Sequence, residues 1–554
     1  MSAAENREPD LLGELADLRL PRLTSEQTPQ CISKDACKKW LAGLPVTNAT
    51  HTQAELLRQL DLLNRYALPV AERLEIVESL RAPCYFVHGE SAKRFLAPPL
   101  PLSAAEQAAF DASHALWKSL ETAYLHCLQG LIEQAASTTL DAADLDRAAL
   151  AATRALTTAL AIQLDHCSAG LMPGAHHWSR LHRIYLAAER LEVSTRSVTD
   201  KLGHTEATTA QAAYAESLLL AAARPHELRP KQVAQVAYWA HRWATKTPVL
   251  RMPPEDLRTP PLCVDLTRGQ AGEYATPCAA ATLRWLDMGD LRKTIKQRLV
   301  KLGQGASPQE LHLGKNCSQP SCELLLREVY RHWCKGGRAA TTGSGKAYQV
   351  AGNSEAIHYH VGGRLFRPQE QSVYLNKRVH EDIATFGHVA ARNEEVRPQV
   401  AHHPLEDWRS VAEGMVDLQL ERPVAAPGVR LTRDQLVGVR TVGDARFQLG
   451  RVSWCCVNPG SGQLLAGLHL LAGAPLAVTV SHSGAGTGKA QHSCGFCLPA
   501  IEALKQPESV ITPVGWYRTG LLVEIRTEDD VRTVRLTRLV ERGADYDRAT
   551  YEVL

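Results

Sequence analysis

The chain contains no uninterrupted apolar run of about 18 residues, the minimum for a helix that spans a bilayer, so no membrane span is expected. Its first residues, Met1 to Glu14, carry Glu5, Arg7, Glu8, Asp10 and Glu14 without an apolar core segment. A secretory leader is therefore not expected, and the cytoplasm is the expected location. Charge of one sign is also lacking: 62 Lys and Arg against 59 Asp and Glu leave a net charge of +3. That is too little for a chain-wide binder of nucleic acid polymers or acidic membranes, so any bound anion must meet a local cluster. Hydrophobic residues at 45% and charged residues at 22% exclude long disorder or a repetitive fibrous chain. At 554 residues the chain has mass for about three or four domains.

The common catalytic signatures are missing as well. The glycine runs Thr342 to Lys346 and Gly484 to Lys489 resemble phosphate loops. Such a loop needs an earlier glycine and a Ser or Thr after the lysine, but Ala340 and Ser483 stand at the first position and Ala347 and Ala490 at the second. Both runs read as linkers. The histidine pairs His176-His177, His358 with His360, and His402-His403 lack the intervening glutamate of a zinc hydrolase. Cys494-Gly495-Phe496-Cys497 has redox spacing, but Pro499 follows and no alternation of strand and helix precedes it. Buried strand thiols are the expected reading, and an enzyme is not expected. Cys317, Cys322, Cys334 and His332 form a loose cluster with no regular ligand spacing, so no metal is assigned. The fourteen cysteines are scattered through a long chain, which argues for reduced thiols and against a disulfide framework.

What is present is, first, a long helical region. From about residue 50 to 335 apolar residues recur at helical spacing. Pro69 suits a first helical position before the stripe Val70, Leu74, Val77 and Leu80, with Arg81 and Pro83 expected to close that helix. Ser103 and Glu106 have capping-box spacing ahead of a long helix, and Asp141 opens an Ala-rich helix that ends at Gly170. Trp178, Trp239, Trp243 and Trp333 lie on apolar stripes and are expected core anchors. Six prolines between Pro248 and Pro277 predict a linker or an extended segment across the helical bundle. No repeat of fixed length appears, so the expectation is an irregular helical array.

After Gly343 the period shifts toward two. Ala356 to Val361 reads as a short strand, and residues 367 to 410 are polar and hard to assign. Strands are expected at Leu436 to Arg440, Phe447 to Trp454, Leu464 to Leu470, Leu476 to Val480, Leu521 to Arg526 and Val531 to Leu539. Short strands at this spacing favour a small antiparallel barrel. The expected fold class is multidomain α+β: an irregular all-α array, a small sheet, and a C-terminal antiparallel β-barrel. The expected boundaries are 1–49 for a flexible segment, 50–340 for the helical domain, 341–420 for a small mixed connection and 421–554 for the barrel.

The runs Gln435 to Arg440, Phe447 to Trp454, Gly467 to Leu471 and Pro475 to Val478 resemble the barrel strands of the PilZ family. In that family a strand reading "lGxVxW" neighbours one reading "xGLxxL". The resemblance covers roughly the last quarter of the chain. More particularly, the chain is similar to large bacterial proteins with a long helical region ahead of a PilZ-like domain. It implies cyclic di-GMP as a ligand rather than a resident cofactor. The family's ligand motif is an Arg-x-x-x-Arg segment ahead of the barrel and Asp/Asn-x-Ser-x-x-Gly on an early strand. Guanidinium forks suit phosphate oxygens and guanine edges. Carried onto this sequence, Arg392 and Arg397 would be the phosphate and guanine contacts, and Ser410 and Gly414 the close-approach strand positions. Four residues separate the arginines instead of three, and each gap of Asp407, Ser410 and Gly414 holds one extra residue. Arg327 and Arg331 have the family spacing but fall on a helix, where a solvated face explains them. The functional expectation is a signalling receptor or adaptor that reads cyclic di-GMP and contacts an unidentified protein through its helical region. The alternative is a nucleotide-independent helical scaffold with a degenerate barrel.

Overall fold

The structure, a computed structural model, describes residues 20–45, 48–202, 207–336, 345–366, 403–483, 490–527 and 530–554. The chain divides into two compact units. One comprises Met1–Pro98, Leu102–Ala339 and Asn458–Ser461; the other comprises Pro99–Pro101, Ala340–Val457 and Gly462–Leu554. No helix among the described residues is long and apolar enough to cross a membrane.

The first unit is the helical array. Its helices are α1 (Lys34–Ala42), α2 (Ala49–Leu63), α3 (Val70–Ser91), α4 (Ala104–Ser137), α5 (Ala142–Ala169), α6 (Ala175–Arg190), α7 (Ala210–Ala222), α8 (Pro230–Trp243), α9 (Gly289–Gly303) and α10 (Ser321–Cys334). The caps expected from the sequence are in place. Ser103 Oγ accepts from Glu106 N at 3.3 Å while the Glu106 carboxylate accepts from Ser103 N at 2.7 Å. Asp141 Oδ1 accepts from Asp144 N at 2.7 Å, and Gly170 ends α5 at φ 70°. The four tryptophans are buried. Trp239 and Trp333 donate their indole N–H to the Leu313 and Leu219 carbonyls, each at 2.8 Å, so burial strands neither donor.

Three local expectations are corrected here. Pro83 does not end α3, which runs on to Ser91 with Pro69 as its cap. An interior proline costs about 3 kcal/mol, and complete burial of Cys84 and Val87 beyond it offsets that cost. Helix α1 lies in the stretch expected to be flexible; Ser33 caps it, and Cys37 joins the helical core. The proline-rich crossing segment contributes β3 (Val249–Leu250), β4 (Leu262–Asp265), β5 (Glu273–Tyr274) and β6 (Leu283–Leu286), a small sheet of order β3-β6-β4-β5. It follows the two-stranded β1 (Val198–Thr199) and β2 (Ala207–Thr208). Cys317 and Cys322 are joined by a disulfide, and the other cysteines are free.

The second unit is antiparallel. Strands β7 (Ala347–Ala351), β8 (Glu406–Glu413), β9 (Asp417–Pro423), β10 (Leu436–Thr441), β11 (Gln448–Asn458) and β12 (Gln463–Leu470) close one barrel in the order β10-β11-β12-β9-β8-β7. Strands β13 (Leu476–Ser483), β14 (Ala490–Leu498), β15 (Ser509–Pro513), β16 (Leu522–Arg526), β17 (Val531–Arg542) and β18 (Tyr546–Val553) close another in the order β13-β14-β15-β18-β17-β16. The strand-rich end therefore builds two six-stranded cages, and the earlier of them recruits β7, β8 and β9 from upstream. Closure leaves neither sheet with a free edge. Residues 356–361 are not a strand. They belong to α11 (Ser354–Gly362), whose Ala356 N is capped by Asn353 Oδ1 at 2.8 Å. Ala356 and Ile357 pack with Leu436 and Leu449 of one barrel and Phe496 and Ile511 of the other, so this helix plugs the junction of the two cages.

Candidate functional site

Along β8 burial alternates, with Glu406, Trp408, Ser410 and Ala412 inward and Asp407 and Arg409 outward. At its start Glu406 forms a buried ion pair with Arg422 at 3.0 Å. The same carboxylate accepts from Trp408 Nε1 at 3.1 Å and Val429 N at 2.7 Å. That end of the barrel is closed by its own charges. The opposite end is open.

A cavity of about 580 Å³ lies there, lined by residues of β7 to β12 that include Tyr348, Glu413, Gly414, Arg440, Asp444 and Arg446. Its volume falls in the ordinary range of small-molecule sites, about 300–1,000 Å³. Arg440 is the penultimate residue of β10 and Arg446 precedes β11, so the short turn between the strands brings both guanidinium groups to one mouth. Arg440 is held in place: its Nε and Nη2 donate to Gln349 Oε1 at 3.0 and 2.8 Å, and its guanidinium lies 4.6 Å over the Phe447 ring. Phe447 is stacked in turn on His360 of α11, with ring centroids 5.4 Å apart. Arg446 is exposed. Lys346 Nζ pairs with Glu413 Oε2 at 3.0 Å, and this partner raises the lysine's pKa. The pairing leaves Asp444 to oppose the two arginines. A braced, ring-stacked arginine beside an exposed one can grip an anion and a planar base together.

The residues expected from the sequence are distributed as follows. Gly414 lines this cavity; its N donates to Asp417 O at 2.7 Å, and an added Cβ would lie 3.2 Å from that oxygen. Ser410 is buried two turns of the pleat away. Its Oγ accepts from Lys346 N at 3.0 Å, so the hydroxyl anchors the entry to β7 and thereby places the lysine beside Glu413. Arg392 and Arg397 lie outside the described residues, as does the glycine run at 484–489. Asp407 faces outward, and Arg409 next to it pairs with Glu421 at 2.7 Å. Arg327 and Arg331 sit on the exposed face of α10, paired with Glu323 at 2.5 Å and Glu328 at 3.9 Å.

The unusual spacing between Ser410 and Gly414 has a structural cause. Ser410 pairs with Leu420 and Ala412 with Gln419, so Val411 is an extra residue bulged out of the ladder. The bulge absorbs one position and restores the register of Gly414 at the barrel mouth. Sequence reasoning passed over Arg440 and Arg446. The available signal was a pair of arginines flanking a turn between two strands, which places both at one end of a barrel.

In the other barrel Cys494 and Cys497 stand three apart on β14 and so face opposite sides. Burial pushes their thiols up to about 12 and about 11, which leaves both protonated at neutral pH and unsuited to attack a disulfide.

Comparison with known proteins is consistent with this architecture. The family model described as "Cyclic-di-GMP receptor FimW, N-terminal domain" matches residues 35–254, and "FimW C-terminal beta-barrel domain" matches residues 478–554. A protein of Pseudomonas aeruginosa described as "Cyclic-di-GMP receptor FimW" is 24% identical, with the alignment covering 99% of this chain and 94% of the relative. No solved structure matches.

Proposed function

Because the chain belongs to the FimW family of cyclic-di-GMP receptors, we propose that it binds cyclic di-GMP at the open mouth of its first barrel and passes the signal on through protein contacts of the helical unit. The observation that carries this reading is the placement of Arg440 and Arg446 at a cavity beside Gly414. Arg440, stacked on Phe447 and braced by Gln349, would meet a phosphate or a guanine edge with little ordering cost. Arg446 would supply the second fork. Arg392 and Arg397, in the sequence between β7 and β8, would complete the grip, with Gly414 allowing close approach and Ser410 holding the strand. The family is one of receptors, and the neutral thiols of Cys494 and Cys497 give no support to a redox reaction.

Calorimetric titration of the full chain with cyclic di-GMP tests the proposal. Saturable binding is expected, weakened at least tenfold by Arg440→Ala, Arg446→Ala or Arg392→Ala. Arg327→Ala, on a helix face paired with Glu323, should leave it unchanged. Absence of heat at high micromolar ligand would remove the proposal and leave a nucleotide-independent scaffold.

A further inference from the structure

The helical unit carries a polar cluster that the barrel site does not use. Glu328 and His332 are four apart on α10, so one helical turn puts both side chains on the same face. Glu227, at the end of the 3-10 turn Pro225–Glu227 that precedes α8, supplies a third corner. One ligand atom from each of the three lies within 4.8 Å of the others.

His332 is the informative member. It is 4% exposed and supplies the one nitrogen ligand of the cluster. Its backbone is fixed: the Tyr274 hydroxyl donates to the His332 carbonyl at 2.6 Å and to that of Trp333 at 3.1 Å, which pins the last turn of α10. The cations around the cluster are Arg224 and His226, at 3.2 and 3.8 Å from Glu227, and Arg331, at 3.9 Å from Glu328. Those ion pairs account for the two carboxylates. They do not account for the imidazole.

We propose that Glu227, Glu328 and His332 bind a divalent transition-metal ion of the zinc class, tying the turn before α8 to α10. One imidazole nitrogen with two carboxylate oxygens suits zinc, whereas calcium and magnesium prefer shells made of oxygen. Three protein ligands leave a fourth position for water or for the neighbouring His226. The ion closes a long stretch of chain between residues 227 and 328 and so acts as a staple within the helical unit, independent of the nucleotide site.

The full chain, freed of metal with a chelator and titrated with zinc chloride, tests this. One tight equivalent is expected, together with a rise of several degrees in the thermal midpoint; magnesium chloride should give neither. His332→Gln and Glu328→Gln should each lose that equivalent or weaken it at least tenfold, with helical content unchanged by circular dichroism. Glu227→Gln, on the turn and outside the core helices, repeats the test where a helix variant fails to fold. The proposal is overturned by no zinc uptake at high micromolar metal, or by variants that bind zinc like the parent. The same holds if the variants destabilise the metal-free chain alone, which would mark an ion-pair cluster only.

Discussion

At the scale of single residues, the helical unit is built to keep histidine neutral. His182 of α6 is fully buried between two fixed partners. Its Nε2 lies 2.8 Å from the Gln270 carbonyl and its Nδ1 2.9 Å from the Tyr214 hydroxyl. A carbonyl can only accept, so Nε2 carries the proton, and in the neutral ring Nδ1 is left to accept from the Tyr214 hydroxyl. Tyr214 is itself stacked on Tyr185 at 4.2 Å. Burial pulls the His182 pKa down from 6.5 to about 4. The folded state then binds fewer protons than the unfolded chain between those values. The stability that His182 contributes is complete above about pH 6.5 and is lost as the pH falls toward 4. Its share lost by pH 4.5 is on the order of 2 kcal/mol. His114 and His126, each held at about 4 by burial, add to the same slope, while His241 beside Glu216 is raised and opposes it. In urea unfolding at pH 7 and pH 4.5, His182→Gln should be less stable than the parent at pH 7 yet lose less on acidification. Equal losses would show that His182 does not titrate on unfolding.

At the scale of elements, the first barrel depends on one contact between neighbouring strands. Gly467 of β12 lies under Trp454 of β11, and an added Cβ would sit 2.2 Å from Trp454 Nε1 and 2.4 Å from Cε2. A methyl group there must displace the indole, and overpacking of this kind costs about 1–3 kcal/mol. Gly467→Ala should therefore lower the unfolding free energy by about 2 kcal/mol. Gly450→Ala, whose Cβ would lie 3.5 Å from Val437, should cost much less. Comparable urea midpoints for the two variants would refute the packing account. The contact also explains why the tryptophan within β11 and the glycine within β12 were readable as a motif: they are two halves of one steric fit. Caps such as Ser103 with Glu106 were legible for the same local reason, since both partners lie within one turn. Alternation misled at 356–361, because Ile357 and Val361 fit a helical i, i+4 pair as well as a strand, and Asn353 decided the matter by capping a helix. Strand period also says nothing about which strands share a cage. The division at Leu471 to Pro475 between two barrels, and the recruitment of β7, became visible only through pairing. The same limit hid Arg440 and Arg446, whose common placement is made by barrel closure.

At the scale of the whole molecule, a receptor must do more than bind. A ligand shifts an equilibrium only by the difference in its affinity for two arrangements, and the coupling is reciprocal. With a net charge of +3 spread over 554 residues, attraction of a dianion is local to the barrel mouth. Long-range steering by the helical unit therefore contributes little, and an influence of that unit on nucleotide affinity has to arise from coupling. The chain's division near residue 340 makes the comparison practicable. Cyclic di-GMP should bind the full chain and the fragment 340–554 with affinities at least fivefold apart, corresponding to roughly 1 kcal/mol of coupling. Calorimetry on both at one salt concentration measures it, with circular dichroism confirming the β-rich fragment is folded. Indistinguishable affinities would mean that the barrels read the nucleotide while the helical unit takes no part in the response, and the adaptor reading would fall while nucleotide binding stood.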